Sequence, residues 1–337
     1  MSSTKAKPGK HILQSLIRYL ATSKLVVMIG LLVVVFSVLN PRFLTLGNVL
    51  NIIDQNAALA IVAVGITFAV ISTNIDLSPG SAVALSGVVL ALVYVATGNG
   101  ALAITAGMLA AIGIGAFNGL VIAKLGVNSI IVTLAAMTWA RGLGLALTDQ
   151  ASVIVDAGFV SVLNQRFAGL FSIPMITVVC AYLIGDVLLM RSRIGRYTFA
   201  IGGDETAAQE SGIRVSRYKF LIFVLSGFYV GLATVLTVGR QGAATPNAVF
   251  GLELDAIVAV IVGGSKLTGG EGSVRRTLIG VLFLSILNNG LSTLGMRDAH
   301  FFLFKGGVIL IALALDAISI RANEEVEGPS GEAIHRS

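Results

Sequence analysis

Long apolar runs, repeated along almost the whole chain, are the feature that most limits how this protein can fold. About 20 apolar residues in a helix cross the hydrocarbon core of a bilayer. Charged residues make up only 12% of the 337 residues, and they fall mainly between the runs. The sequence therefore predicts an all-α integral membrane protein, with a transmembrane domain over 20–320 between tails at 1–19 and 321–337. We predict ten spans, at 20–39, 52–72, 80–97, 101–123, 128–148, 171–190, 218–239, 252–266, 275–295 and 301–320.

Lysine and arginine residues at the ends of the spans predict the orientation of the chain. Membrane proteins keep an excess of these residues in their cytoplasmic connections. With ten spans, the basic N-terminal tail, Lys124, the loop 191–219, Arg275 and Arg321 all fall on one side of the membrane. We therefore expect both termini and the loop 191–219 to be cytoplasmic.

A weak internal repeat predicts that the domain consists of two halves. Asn118-Gly119-Leu120 closes the fourth span, and Asn289-Gly290-Leu291 closes the ninth. Five spans per half is an odd number, so the halves would have opposite orientations, as in inverted-repeat transporters with broken helices. Two short matches in a chain rich in glycine and leucine can also arise by chance.

A polar segment inside the membrane region, Ser72–Gly80, is the most specific chemical feature of the spans. Asp76 would be costly facing lipid, so we expect it to face protein or water. Ser78 is a good helix N-cap and Pro79 suits the first helical position, which predicts that a helix breaks and restarts here. The alternative is an ordinary connection at the membrane surface. We predict a substrate pathway lined by Asn74, Asp76, Ser78, Asn118 and Asn289, although asparagine side chains also simply bridge helices.

Arg141 is the other charge placed deep in an apolar run. We predict a structural role for it, with its guanidinium satisfied by a backbone carbonyl or by Asp76. Its long side chain could instead reach the membrane interface.

The loop 191–219 is polar and basic, as is typical of a segment of soluble protein. Asp204 can cap a short helix that Glu205 stabilises at its positive end, and Gly212 can end that helix in the left-handed conformation. Ala207 and Ala208 would let one face of it approach another molecule closely. The loop predicts a docking site for a water-soluble partner, although a solvated basic loop that only sets the topology is the alternative. The residues we assign to it are Gly203, Asp204, Glu205, Ala207, Ala208 and Gly212.

Several enzyme classes are excluded by missing motifs. The chain has no G-x-x-x-x-G-K-[ST] phosphate loop and no G-x-S-x-G elbow, and its three histidines are far apart. Its single cysteine, Cys180, makes a thiolate metal site very unfavourable. We therefore expect no catalytic residue, metal or cofactor on this chain. A docking loop without an ATP site fits a pump subunit whose ATPase is another polypeptide.

Four ordered motifs resemble the permease subunit of ribose-type carbohydrate ABC importers over about residues 40–320. They are Thr73–Ser81 for the intramembrane motif, Thr133–Gly142 for the fifth span, Gly195–Ile213 for the cytoplasmic loop and Glu253–Gly264 for the eighth span. The sequence departs from the family pattern at Thr73-Asn74, where the family has two glycines, at Pro79 and at Asp204. These departures bear on the substrate and on fine geometry.

The resemblance implies a permease subunit that carries a monosaccharide or related polyol inward by alternating access, in the bacterial inner membrane. It implies an ATPase partner that binds ATP and Mg²⁺, a periplasmic sugar-binding protein and a second permease subunit, identical or related. Residues 204–212 would be the coupling helix that docks in the ATPase. A nucleoside or amino-acid cargo is the nearest alternative, and a proton-coupled secondary carrier is a more distant one.

Overall fold

The computed structural model describes residues 25–296 and 300–311, and this part of the chain is built mainly from helices. They are α1 Leu25–Leu39, α2 Leu46–Gln55, α3 Ala57–Ile71, α4 Pro79–Thr97, α5 Gly100–Leu125, α6 Ser129–Leu147, α7 Ala157–Leu163, α8 Ile173–Arg191, α9 Arg193–Gly203, α10 Glu205–Glu210, α11 Val215–Gln241, α12 Leu252–Val262, α13 Val274–Thr293 and α14 His300–Ile311. Two short antiparallel pairs join β1 Val153–Ile154 to β4 Ala243–Ala244 and β2 Arg166–Phe167 to β3 Phe171–Ser172.

Five of these helices are long and apolar enough to cross a membrane, namely α4, α5, α6, α8 and α11. The pair α2–α3 makes a sixth candidate, bent by 44° where Asn56 separates the two helices. The prediction of an all-α membrane protein is therefore confirmed. The predicted span 252–266 is different, because α12 has only 11 residues. At 1.5 Å per residue it is about 16 Å long, roughly half the thickness of the hydrocarbon core.

The chain divides into two compact units, and the smaller one contains residues up to Phe43 and from Ile286 onward. In its described part, α1 packs against the end of α13. A Cβ added to Gly290 would lie 2.3 Å from the Phe36 ring, so only glycine fits there. The Asn40 amide donates a hydrogen bond to the carbonyl of Thr293 over 3.1 Å.

The larger unit, Leu44–Ser285, is built around α3, α5 and α11. In α3, 14 of 15 residues are buried, as expected for a helix that is apolar on every side. Glycines bring α5 and α11 into backbone contact. A Cβ added to Gly115 would lie 2.3 Å from the carbonyl oxygen of Phe223, and one added to Gly227 would lie 2.7 Å from that of Ala111. Such small residues let membrane helices approach each other closely.

One end of the larger unit is closed by α7 and the β1–β4 pair. The Phe159 ring of α7 lies 4.8 Å from the ring of Tyr94, near the end of α4. Asp156 caps α7 by accepting from the Phe159 amide at 2.8 Å, and it also accepts from the Tyr94 hydroxyl at 2.6 Å. The opposite end carries the α5–α6 connection and the helices α9 and α10. The two ends of the unit are therefore chemically distinct, which fixes where each candidate residue lies.

Candidate functional site

The break between α3 and α4 is built by local backbone geometry. Thr73 has a φ of 60°, in the left-handed region, and the amide of Asn74 then reaches back to the Ala69 carbonyl at 2.9 Å. This is a helix end that normally uses glycine. The family that the sequence resembles has two glycines at Thr73-Asn74. Glycine suits the left-handed conformation of residue 73, which disfavours the branched side chain of threonine. Residues 74–78 form neither helix nor strand, and α4 begins at Pro79.

Asp76 is the centre of a hydrogen-bonded network inside the larger unit. Its side chain is 2% exposed. Oδ1 accepts from the amide of Ser78 at 3.0 Å and from its hydroxyl at 2.6 Å, while Oδ2 accepts from the Ser226 hydroxyl of α11 at 3.1 Å. The amide of Asn118 in α5 donates to the Ser78 hydroxyl over 2.9 Å. The network ties α4, α5 and α11 to one buried carboxylate.

Ser78 does stand at the N-cap position of α4, with proline following it, but its hydroxyl makes no capping hydrogen bond. The hydroxyl donates to Asp76 instead. The reason is that the carboxylate lies two residues earlier, within reach of both donors of Ser78. The cap predicted from the sequence is therefore correct in position and wrong in its hydrogen bond.

The two remaining predicted pathway residues are placed differently. The Asn74 side chain is 4% exposed and its amide donates to Ser72, at 2.7 Å to the carbonyl and 3.1 Å to the hydroxyl. It therefore holds the helix break in shape. Asn289 is buried in α13, in the part of the chain that belongs to the smaller unit. A part for it in a pathway stays a prediction.

Arg141, in the middle of α6, binds two backbone carbonyls of the segment before α12. Its Nη1 donates to the oxygen of Pro246 at 2.8 Å and to that of Ala248 at 3.2 Å. Its guanidinium lies 5.8 Å from the centre of the Phe250 ring, a cation–π distance. Of the two partners considered from the sequence, backbone carbonyls are the ones present, and the guanidinium pins an irregular segment to α6.

Glu253 is a buried acid that our sequence reasoning did not select as a site residue. It lies in the first turn of α12 and is 6% exposed. Its Oε2 has no hydrogen-bond partner among the described residues. A Cβ added to Gly80 would lie 2.0 Å from that oxygen, so the first turns of α4 and α12 touch at Gly80. The rule that selected Asp76, an acid within an apolar run, would also have found Glu253.

The predicted docking helix, α10, has the predicted cap and stop. Asp204 accepts from the Ala207 amide at 2.9 Å, and Gly212 has a φ of 83°. One detail differs from the expectation. Ala208 is buried against Ile201 and Val215, so it anchors α10 instead of presenting a free face. Glu205 forms an ion pair with Lys219 at 2.6 Å.

In the predicted docking set, every residue except Ala208 is exposed. Gly202, beside them at the end of α9, is packed against backbone: an added Cβ would lie 1.7 Å from the Ile71 carbonyl oxygen. The amide of Gly270 donates to that same oxygen at 2.9 Å. The helix that leads into α10 is therefore in direct contact with the end of α3, where the intramembrane break begins.

The described residues contain no group of three or more His, Cys, Asp or Glu side chains that could hold a metal ion. The polar side-chain groups around Asp76 are hydroxyls, amides and one carboxylate, and such groups can bind sugar hydroxyls or position helices.

Comparison with known proteins gives a consistent result. The family described as "Branched-chain amino acid transport system / permease component" matches residues 48–313. The ribose import permease protein RbsC of Escherichia coli (strain K12) is 37% identical over 306 residues, covering 88% of this chain and 94% of the relative. The ribose import permease protein RbsC of Bacillus subtilis (strain 168) is 42% identical over 289 residues, covering 85% and 89%. The galactose/methyl galactoside import permease protein MglC of Escherichia coli (strain K12) is 34% identical over 325 residues, covering 90% and 96%.

Proposed function

Because the chain belongs to the family of branched-chain amino acid transport system permease components, we propose that it is the membrane permease subunit of a sugar importer driven by ATP. Its cargo is a monosaccharide or a closely related polyol, and the pathway opens to each side in turn. The observation that carries this proposal is the near full-length similarity to permeases named for ribose and for galactose import.

The network around Asp76 supports a place for this segment beside the pathway. It holds three hydroxyl or amide side-chain groups and one carboxylate in the interior of the larger unit. In our proposal, Asp76, Ser78 and Asn118 line or shape the pathway. Asn74 maintains the helix break between α3 and α4. Arg141 serves as a structural charge that holds the segment before α12.

The proposed architecture has ten membrane segments in two inverted halves. In that arrangement α4 and α12 are the third segments of the two halves. Both begin after an irregular segment, and their first turns touch at Gly80 and Glu253. This matched pair supports the repeat, with α12 entering the membrane without crossing it. We propose that both termini lie in the cytoplasm of a bacterial cell, as the basic residues at the ends of the spans predict.

Partners complete the proposal. An ATPase subunit binds ATP and Mg²⁺ and docks at α10, a periplasmic protein delivers the sugar, and a second permease, identical or related, completes the pathway. The exposed side of α10, which includes Ala207, supports docking, since its cap and its left-handed stop hold the helix in a fixed shape.

Uptake by reconstituted complexes tests the function. Proteoliposomes that contain the permease, its ATPase and the loaded binding protein should accumulate labelled ribose or another monosaccharide only with ATP. Asp76→Ala should abolish uptake, because the amide and hydroxyl of Ser78 and the hydroxyl of Ser226 would each lose their acceptor, at about 1–3 kcal/mol per unsatisfied group. Asp76→Asn is the matched variant, since it keeps an acceptor oxygen and removes the charge.

Three outcomes would contradict the proposal. Uptake driven by a proton gradient without ATP would indicate a secondary carrier. Competition by leucine or uridine, but not by sugars, would indicate another cargo. Normal uptake by Asp76→Ala would remove that network from the pathway.

Crosslinking from a cysteine at Ala207, in a Cys180→Ser background, should reach the ATPase. A crosslink to the periplasmic protein would reverse the orientation.

A further inference from the structure

A cavity of about 900 Å³ lies beside α10, at the end of the larger unit that carries the α5–α6 connection. Its walls come from the end of α5, the α5–α6 connection, the helix break at 73–74 and the α10–α11 segment. This volume falls within the range of small-ligand sites. Its lining includes Asn74 from the predicted pathway set and Glu205 and Gly212 from the predicted docking set, while its residues Arg214 and Arg217 belong to neither set.

The cavity is positively charged. Arg214 and Arg217 line it, both are exposed, and neither side chain has a hydrogen-bond or ion-pair partner among the described residues. Lys219 and Glu205 also line it but neutralise each other as an ion pair at 2.6 Å. Two uncompensated guanidinium groups remain, and guanidinium forks match phosphate oxygens with paired hydrogen bonds.

The α5–α6 side of the cavity contains both apolar and polar residues. Ile122 and Val127 line it there together with Asn128 and Ser129. Next to these residues in the chain, Leu125 is 71% exposed and Ile131 is 63% exposed. The site thus combines a basic cavity with exposed apolar side chains beside it. A ligand that matches both parts has an anionic head and an apolar tail.

We propose that this cavity binds the phosphate group of an anionic membrane lipid, with its acyl chains lying over Leu125 and Ile131. The proposal rests on the proposed orientation, which places the cavity on the cytoplasmic side. Anionic lipids in that leaflet attract basic residues near the membrane, and basic pockets between membrane helices bind their head groups. A lipid held there would join the α5–α6 connection to the first turn of α11 and so brace the segment that carries α10.

Native mass spectrometry of the purified permease in detergent tests the site. We would titrate phosphatidylglycerol and phosphatidylcholine with identical acyl chains and follow lipid-bound species. Wild type should bind phosphatidylglycerol preferentially. Arg214→Gln with Arg217→Gln should weaken that binding by about 30-fold, the effect expected for two basic residues near a bilayer surface. Arg191→Gln with Arg193→Gln is the matched control: it removes the same charge outside the cavity and should leave binding near the wild-type value.

A second variant protects the test against misfolding. Ser216→Asp places a carboxylate in the cavity wall, and an acid in the first turn of a helix favours the helix. It should lose selective lipid binding while melting at the wild-type temperature.

Four results would overturn the proposal. They are equal binding of the two lipids, an equal loss in the Arg191/Arg193 control, retained lipid binding by Ser216→Asp, and displacement of bound lipid by millimolar inorganic phosphate. The last result would identify a site for a soluble phosphate compound. If the Arg214/Arg217 variant instead lost only its affinity for the ATPase, the guanidinium groups would belong to the protein interface. Sugar uptake is measured separately, so failure here leaves the transport proposal untouched.

Discussion

Gly202 offers the sharpest test of how α9 and α10 are joined to the long apolar helices of the unit. An alanine Cβ at this position would lie 1.7 Å from the Ile71 carbonyl oxygen and 2.5 Å from the amide nitrogen of Gly270. Both atoms are backbone, so no side chain can rotate away. Gly202→Ala must therefore move the end of α9 away from the end of α3 by more than 1 Å, on the order of the missing contact distance.

The cost can be estimated from the structure. Overpacking in a well-packed interior costs about 1–3 kcal/mol and sometimes more. Separating the elements also strains the hydrogen bond from Gly270 to Ile71, worth about 0.5–1.5 kcal/mol net. The higher helix propensity of alanine relative to glycine offsets this cost by up to about 1 kcal/mol. We expect a net destabilisation of about 2 kcal/mol or more.

Gly203→Ala is the matched control, because it makes the same chemical change one residue later. An added Cβ at Gly203 meets nothing within 4 Å. Its melting temperature in detergent should equal or slightly exceed that of wild type, while Gly202→Ala should melt clearly lower. In the assembled importer, Gly202→Ala should also reduce the stimulation of ATP hydrolysis by loaded binding protein. Equal melting temperatures for the two variants would refute the packing argument.

Three further predictions concern other parts of the larger unit. Thr73→Gly should raise the free energy of unfolding by up to about 1 kcal/mol. A threonine in the left-handed conformation costs about 1–2 kcal/mol, and the greater chain entropy of glycine in the unfolded state cancels part of the gain. If chemical denaturation showed Thr73→Gly to be no more stable than Thr73→Ala, the backbone at Thr73 would not be strained. Arg141→Leu should lower the yield of folded protein, because the carbonyls of Pro246 and Ala248 lose their hydrogen-bond donor at about 1–3 kcal/mol each. The apparent KM for sugar should stay unchanged. A variant that assembles normally but needs far more sugar would assign Arg141 to binding. Hydrogen bonds from the Tyr94 hydroxyl and the Phe159 amide hold the pKa of Asp156 below its ordinary value of 3.8. Its stabilisation of α7 is therefore complete above that value and is lost as the pH falls through the lowered pKa. The protection factors for hydrogen exchange in α7, corrected for the intrinsic pH dependence of exchange, should stay constant from pH 7 to about pH 5, and a loss of protection within that range would refute the assignment.

The apolar runs predicted the long helices well because a run of 20 residues leaves few other structures in lipid. They could not predict the length of α12 or the bend at Asn56. Hydropathy reports whether a segment tolerates an apolar environment, and it does so equally for a crossing helix and for one that stops halfway. The α7 helix and the two strand pairs were also missed, since they lie in the connections between predicted spans and depend on tertiary contacts such as that of Phe159 with Tyr94.

The candidate sites show the same division between local and tertiary information. The cap by Asp204 and the left-handed Gly212 follow from residue type and spacing over a few positions, and both are present. The hydroxyl of Ser78 could serve its own helix or Asp76, and only the packed structure decides between them. The anchoring of Ala208 and the pairing of Glu205 with Lys219 depend on how α10 lies on the start of α11, which residue type alone does not specify.

The close approach of Gly80 to Glu253 links positions that are far apart in sequence. A side chain larger than hydrogen at 80 would displace the carboxylate at 253, and a shorter acid at 253 would leave an unfilled gap beside Gly80. In chimeras between this chain and its relatives, the segment that opens α4 and the segment that opens α12 should therefore be exchanged together. A crossover placed anywhere between them would combine halves whose fit at this point had never been selected as a pair.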